Sequence, residues 1–192
     1  MEINKLLETL HTINRLKDTT RHCYTPGGRH ESVAEHSWRT TIMAYLMYDE
    51  FPDIDINKVI KMCLIHDLGE VFTGDIPTFY KTGKDEDKEA NLLTEWVNSL
   101  PEPFSTEFSS LYEEMALLES KEAKLYKALD NLEAVISHNE SDISTWIELE
   151  YSLNRTYGND KVAFSEYLKK FRALACAETD EKLRAAGIEP PK

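Results

Sequence analysis

Helix-breaking residues are scarce in this chain, with 7 glycines and 7 prolines among 192 residues. Leu, Glu, Lys and Ala are frequent instead, which argues against a sandwich or barrel and for helices. Cysteine is scarce too. Cys23, Cys63 and Cys176 are odd in number, widely spaced and without a C-x-x-C pair, which excludes a disulfide framework. They fit reduced thiols in a cytoplasmic protein. No apolar run approaches the roughly 18 residues of a membrane span, so no membrane association is expected. The amphipathic start MEINKLLETLHTINRL lacks the basic opening and apolar block of a signal peptide. Positive charge is in deficit, 22 Lys and Arg against 35 Asp and Glu, for a net charge of −13. Such a chain repels nucleic acid, whose binding depends on cationic neutralisation of phosphates, and no basic stripe reverses the balance. A small anionic ligand stays compatible if a metal ion or local arginines invert the sign inside a pocket. No Walker loop, G-x-S-x-G elbow or G-x-G-x-x-G occurs, and HESVAEH is not H-E-x-x-H.

What is present is helical periodicity. The length fits one domain over residues 1–192, and the 41% apolar share is ample for a core. Ile3, Leu6, Leu7, Leu10 and Ile13 mark a first helix, followed by a polar stretch with a Pro26-Gly27-Gly28 turn. Ser32-Val33-Ala34-Glu35 has the form of a capping box and predicts a helix from Ser32 to Asp49. Asp55 is the expected cap of a helix over 56–70, stopped by Gly74 and Pro77. Further helices are expected near 86–99, 105–117, 120–138, 142–156 and 160–186, with a frayed tail. No segment alternates as a strand would. The fold class expected is all-α, a single domain of about seven to nine helices.

Some polar residues do not fit a purely structural reading. CLIHDLGEVFTGDIP, residues 63–77, begins as a core-facing run that His66 and Asp67 interrupt. Buried ionisable groups are costly unless paired, hydrogen-bonded or bound to metal. Glu70 follows one turn on, so the three residues are expected to share a helix face. His36 lies early in its helix, and Asp130 interrupts KLYKALDNLEAVI among core-like neighbours. Two His and two Asp are donors suited to Mn²⁺, Fe²⁺, Co²⁺ or Ni²⁺, and poorly suited to a structural zinc, since no cysteine is near. A lone His-Asp pair is weak evidence, and a core histidine is more often hydrogen-bonded than ligating.

The order His36, then His66-Asp67, then Asp130, on a helical background, resembles the HD superfamily of metal-dependent phosphohydrolases. The flanks ESVAEHS, HDLGEVFTGDIPT and EAKLYKALDNLE are similar to those of its 5′-deoxynucleotidase branch. The resemblance covers about residues 5–150, and the C-terminal forty residues add little to it. It implies that His36, His66, Asp67 and Asp130 bind a divalent ion (Mn, Co, Fe, Ni or Mg), with Glu70 positioning or deprotonating the attacking water. Glu70 and Asp75 would hold a second ion in some relatives. Asp75, Ile76, Pro77 and Thr78 would contact a nucleotide substrate, and Arg15 would orient its phosphate. Lys81 and Arg21 are weaker candidates for that positive field, read first as solvated side chains. Leu16 stands where the bacterial enzymes have a tryptophan that helps sense the sugar, which bears on deoxyribose selection. The implied activity is hydrolysis of (deoxy)nucleoside 5′-monophosphates, and the implied assembly is a homodimer. The alternatives are another phosphoester or phosphodiester substrate, or a metal- or nucleotide-binding module without turnover.

Overall fold

In the computed structural model, which describes residues 1–191, the N-terminal apolar stripe forms α1 (Ile3–Ile13). A 3-10 turn at Asn14–Lys17 follows and buries Leu16. The next segment corrects the expectation that strands are absent. The Pro-Gly-Gly turn closes a hairpin of two antiparallel strands, β1 (Thr20–Tyr24) and β2 (His30–Ser32). Strands of 5 and 3 residues are too short for their alternation to stand out.

Ser32 then caps α2 (Val33–Leu46). Its hydroxyl accepts from the Glu35 N–H, while the Glu35 carboxylate accepts from the Ser32 N–H at 2.9 Å, the expected capping box. The helix stops before Asp49, and Tyr48–Glu50 form a 3-10 turn. Asp55 caps α3 (Ile56–Ile65) through the Lys58 N–H, and a single turn, α4 (Glu70–Thr73), follows it. The next helix, α5 (Gly83–Asn98), begins earlier than the periodicity implies, because Asp85 accepts from the Thr82 N–H and fixes its first turn. Then come α6 (Phe104–Leu117), α7 (Lys121–Glu140), α8 (Glu148–Thr156) and α9 (Glu166–Ala185).

Residues 157–164 form turns, so the last helix is shorter than the expected 160–186. The expected frayed tail is tied down as far as Pro191, and Lys192 lies outside the described residues. The Ile188 N–H donates to the Leu183 carbonyl at 2.9 Å, and Arg155 donates to the Pro191 carbonyl.

Apart from the hairpin the fold is all-α. Its centre is the packing of α2, α3 and α7, with α9 against the other side of α7. Met62, Val59, Leu125, Leu129 and Leu132 fill the space between them with no exposed surface. Truncating any one of these leucines to alanine would cost about 2–5 kcal/mol, through lost transfer energy and a cavity. α2 and α7 carry His36 and Asp130, and the His66-Asp67 pair follows directly on the end of α3, so the best-packed part of the molecule is the platform for the site.

Candidate metal centre and substrate cleft

The end of α3 departs from the expected continuous helix over 56–70. In an unbroken α-helix, the Cys63 and Ile65 carbonyls would accept from N–H groups four residues on. Here side chains take them. His66 Nδ1 lies 2.8 Å from the Cys63 carbonyl, and the Tyr112 hydroxyl donates to the Ile65 carbonyl at 2.7 Å. The backbone tightens to three-residue hydrogen bonds, Leu68 N–H to Ile65, Glu70 N–H to Asp67 and Phe72 N–H to Gly69, at 3.0–3.1 Å. Side chains three apart eclipse in this geometry, which aligns Asp67 with Glu70. Gly69 permits close approach to α5, since a Cβ there would lie 2.8 Å from Glu89 Cγ. Gly74 adopts φ +78°, open to glycine at little cost, and turns the chain so that Asp75–Thr78 leave the helix.

Both histidines present the same nitrogen. His66 Nδ1 must donate to the Cys63 carbonyl, which leaves the Nε2 lone pair inward. His36 Nδ1 meets the Glu133 carboxylate, with the same result. The two Nε2 atoms are 3.1 Å apart. Asp130 Oδ1 lies 3.1 and 3.5 Å from them, and Asp67 Oδ2 lies 3.6 and 3.1 Å.

Donors bound at about 2.0–2.2 Å to one ion sit about 3.0 Å apart at right angles and about 3.4 Å apart tetrahedrally. The five separations that involve an imidazole nitrogen match. His36, His66 and Asp67 present ligand atoms that all lie within 4.8 Å of one another, so these three fit a divalent ion, with Asp130 Oδ1 beside both histidines as the fourth candidate donor. Lys127 holds the other Asp130 oxygen at 2.7 Å and so aims Oδ1 inward. Within the chain the four groups steady one another. Burial opposes charge on His66, but Asp67 and Asp130 outweigh it and raise its pKa well above 6.5. Burial likewise lifts Asp67, and the His66 charge overrides it and lowers its pKa.

Glu70 is 6% exposed, and its Oε2 has no hydrogen-bond partner among the described residues. Burial, then Asp67, Asp75 and Glu89, push its pKa up to about 10. Asp75 is also raised, by burial and by Asp67, with Arg21 opposing. A buried carboxyl oxygen without a partner calls for a water or cation beside it. Glu70 and Asp75 are therefore chemically suited to a second ion.

Asp75, Pro77 and Thr78 line a cleft together with Arg21, Phe79, His138, Glu150 and Tyr157. Ile76 is half-buried within the same segment and does not line it. Arg15 is exposed on the 3-10 turn after α1, outside the cleft, although that turn packs against α4.

The structure corrects two readings of cations. Arg21 is bonded to Glu31 and Glu133 at 2.8 and 3.2 Å rather than solvated. Lys81 is paired with Glu89 at 2.8 Å. The segment after residue 150 also contributes more than expected, through Leu153, Asn154 and Tyr157.

Sequence reasoning missed Glu133, although it interrupts the apolar face of α7 one turn after Asp130, much as His66 interrupts α3. It also missed the arrangement in which His138 and His22 flank Glu150 at 2.8 and 3.1 Å. No spacing in the chain announces that one.

The family description "HD domain" matches residues 13–172. Two 5′-deoxynucleotidases designated HDDC2 are similar. That of Danio rerio is 32% identical over 144 residues, covering 72% of this chain and 70% of that protein. That of Dictyostelium discoideum is 30% identical over 161 residues, covering 79% and 84%. Among solved structures, a predicted metal-dependent phosphohydrolase from Magnetospirillum magnetotacticum MS-1 has a TM-score of 0.79 at 27% identity. That match covers 98% of this chain and 96% of the other.

Proposed function

The chain belongs to the HD-domain family, and on that premise we propose that it is a metal-dependent phosphomonoesterase hydrolysing (deoxy)nucleoside 5′-monophosphates to nucleoside and phosphate. The observation that carries this reading is that two imidazole nitrogens lie 3.1 Å apart and that an Asp67 and an Asp130 oxygen each lie 3.1–3.6 Å from both of them. His36, His66, Asp67 and Asp130 would hold the ion, with Glu70 and Asp75 available to a second. Mn²⁺, Co²⁺, Fe²⁺, Ni²⁺ and Mg²⁺ all accept these donors, and availability selects among them.

Bound there, a divalent ion polarises a phosphoryl oxygen and lowers the pKa of water. The remaining work falls to the chain. With an ion held by these residues, Glu70 would orient that water and accept its proton, the cation's charge offsetting the burial and neighbouring carboxylates that keep the Glu70 carboxyl protonated in the metal-free chain. The proton passes to the 5′-oxygen as the P–O bond breaks. Asp75, Pro77 and Thr78, with Ile76 in the same segment, receive the nucleoside side of the substrate. Arg15, beside α4, is the arginine the family resemblance assigns to the phosphate. Phosphoryl transfer needs positioning and charge neutralisation more than covalent chemistry, and a metal with arginines supplies both in an acidic chain.

We further propose a single HD domain over residues 1–192, acting as a homodimer in the cytoplasm. One connected hydrophobic core supports the first. The second is supported by an unusually apolar outer face on α1 and α2, where Leu7, Leu10, Trp38 and Tyr45 are exposed, Trp38 by 63%. Three cysteines without a disulfide support the third.

The test is to assay purified protein with Mn²⁺ or Co²⁺ against mono-, di- and cyclic nucleotides. Phosphate release confined to 5′-monophosphates is expected. Metal binding with no phosphate released from any of them would overturn the enzyme reading in favour of a binding module.

A further inference from the structure

Glu133 lies on α7 one turn after Asp130, and none of its side chain is exposed. A carboxylate so buried persists only when its oxygens are satisfied, and four donors surround this one. His36 Nδ1 and Arg21 Nη1 meet Oε2, Arg21 at 3.2 Å. Arg39 Nε and the Ser137 hydroxyl meet Oε1 at 2.7 and 2.9 Å.

Two of these donors belong to different functional parts. His36 carries a nitrogen of the donor set, and Arg21 lines the cleft near Asp75. Arg21 is fixed a second time, by Glu31 at 2.8 Å, and Glu31 also meets the Cys23 thiol at 3.0 Å. Both anchors use Nη1. The Nε and Nη2 of Arg21 make no protein hydrogen bond among the described residues, and neither is a buried orphan. A guanidinium has five N–H donors in a planar fork. One pinned at a single nitrogen beside a cleft, with the rest of the fork unused, is placed for an anion.

We infer that Glu133 is a positioning residue that couples the two halves of the site, setting the tautomer of the metal ligand His36 while holding Arg21 so that its free N–H groups meet the substrate phosphate. The inference rests on the reading above, in which His36 Nε2 faces a metal ion. It adds two residues to the reaction and gives each a separate task. Through His36, Glu133 keeps Nε2 unprotonated and raises its basicity, as carboxylate partners of ligating imidazoles do. Through Arg21, the same oxygen fixes the distance between the metal centre and the cation. The bland reading is a buried ion network with no bearing on either ligand.

Two binding measurements that need no turnover separate these readings. Mn²⁺ is titrated into metal-stripped protein, and inorganic phosphate is titrated into Mn²⁺-loaded protein. Glu133→Gln keeps the volume but offers one acceptor oxygen where four donors converge. It is expected to weaken Mn²⁺ binding about 10- to 100-fold and to weaken phosphate binding as well. Arg21→Met is expected to weaken phosphate binding about tenfold or more while changing the Mn²⁺ affinity less than Glu133→Gln does, since it removes one partner of Glu133 and leaves the His36 contact in place.

Mn²⁺ affinity unchanged in Glu133→Gln, or phosphate affinity unchanged in Arg21→Met, would overturn the inference even if nucleotide hydrolysis is confirmed. Equal loss of both ligands in Arg21→Met would also overturn it, in favour of the bland reading. If the unmodified chain binds Mn²⁺ and phosphate but hydrolyses no nucleotide, the functional reading fails. The two titrations then still decide the coupling. If Glu133→Gln does not fold, Glu133→Asp, which keeps the charge but withdraws the carboxylate from His36, takes its place in the Mn²⁺ titration, and an unchanged Mn²⁺ affinity there overturns the inference.

Discussion

Replacing Asp130 with asparagine should uncouple the protein's thermal stability from divalent metal. Asp130 supplies one of the four candidate donors, and its 3.1 Å neighbour His36 is 94 positions away in sequence. An ion that binds the folded chain alone, present at 100 times its dissociation constant, stabilises by about 2.7 kcal/mol. For a chain of this length each kcal/mol moves Tm by about 2–4 °C, so Mn²⁺ should raise the melting temperature of stripped wild-type protein by about 5–11 °C. A 100-fold affinity loss brings the same ion concentration to one dissociation constant. The stabilisation then falls to about 0.4 kcal/mol and the shift to about 1–2 °C. The shift, rather than Tm itself, is the proper readout. Asparagine also deprives Lys127 of its 2.7 Å partner and lowers the metal-free Tm independently. Differential scanning fluorimetry after chelator treatment, across a Mn²⁺ series, measures both. A metal-induced shift of equal size in wild type and Asp130→Asn would refute the donor set proposed here.

The other expectations are more direct. Asp67→Ala should lose both metal and activity, whereas Glu70→Ala should lose about 10²–10⁴ in kcat and retain at least one ion by elemental analysis; normal turnover in either refutes the assigned roles. Leu16 is 4% exposed within the core and cannot stack on a sugar, so kcat/KM for dAMP and AMP should agree within about tenfold; a preference of a thousandfold would show that another residue reads the 2′ position. Burial raises the Glu150 pKa, but His138, the Ile147 N–H and His22 outweigh it and hold it below 4.5. Its stabilisation is therefore complete above pH 4.5 and is lost as pH falls through the folded value. Glu150→Gln should flatten the acid limb of a Tm-against-pH curve, and an acid limb as steep as that of the wild type would refute this.

The long helices were legible because their signals are local. Ser32 and Glu35 announce α2, Asp55 announces α3, and apolar spacing carries α6 and α7. The four converging donors were legible for a different reason, since polar residues in apolar helix faces stand out and their order resembles a known family. What escaped the sequence depends on contacts between distant segments. The 3-10 tightening after Ile65 requires Tyr112, 47 residues away. The burial of Arg21 requires Glu133, 112 residues away. The hairpin was hidden by its brevity. His22 and His138 meet Glu150 only because α8 folds back, and no periodicity encodes that.

The separation of His36 from Asp130 also bears on the order of folding. Loop closure grows costlier with chain length, though slowly, and an unfolded chain offers an ion little beyond the adjacent His66 and Asp67. The complete donor set exists only after α2, α3 and α7 have docked. Metal capture is then a late event that reports completion of the helical core, unlike a zinc finger, where the ion itself drives folding. A fragment ending before α7 should leave the ion in solution, and a nascent chain should acquire it only after Asp130 has left the ribosome.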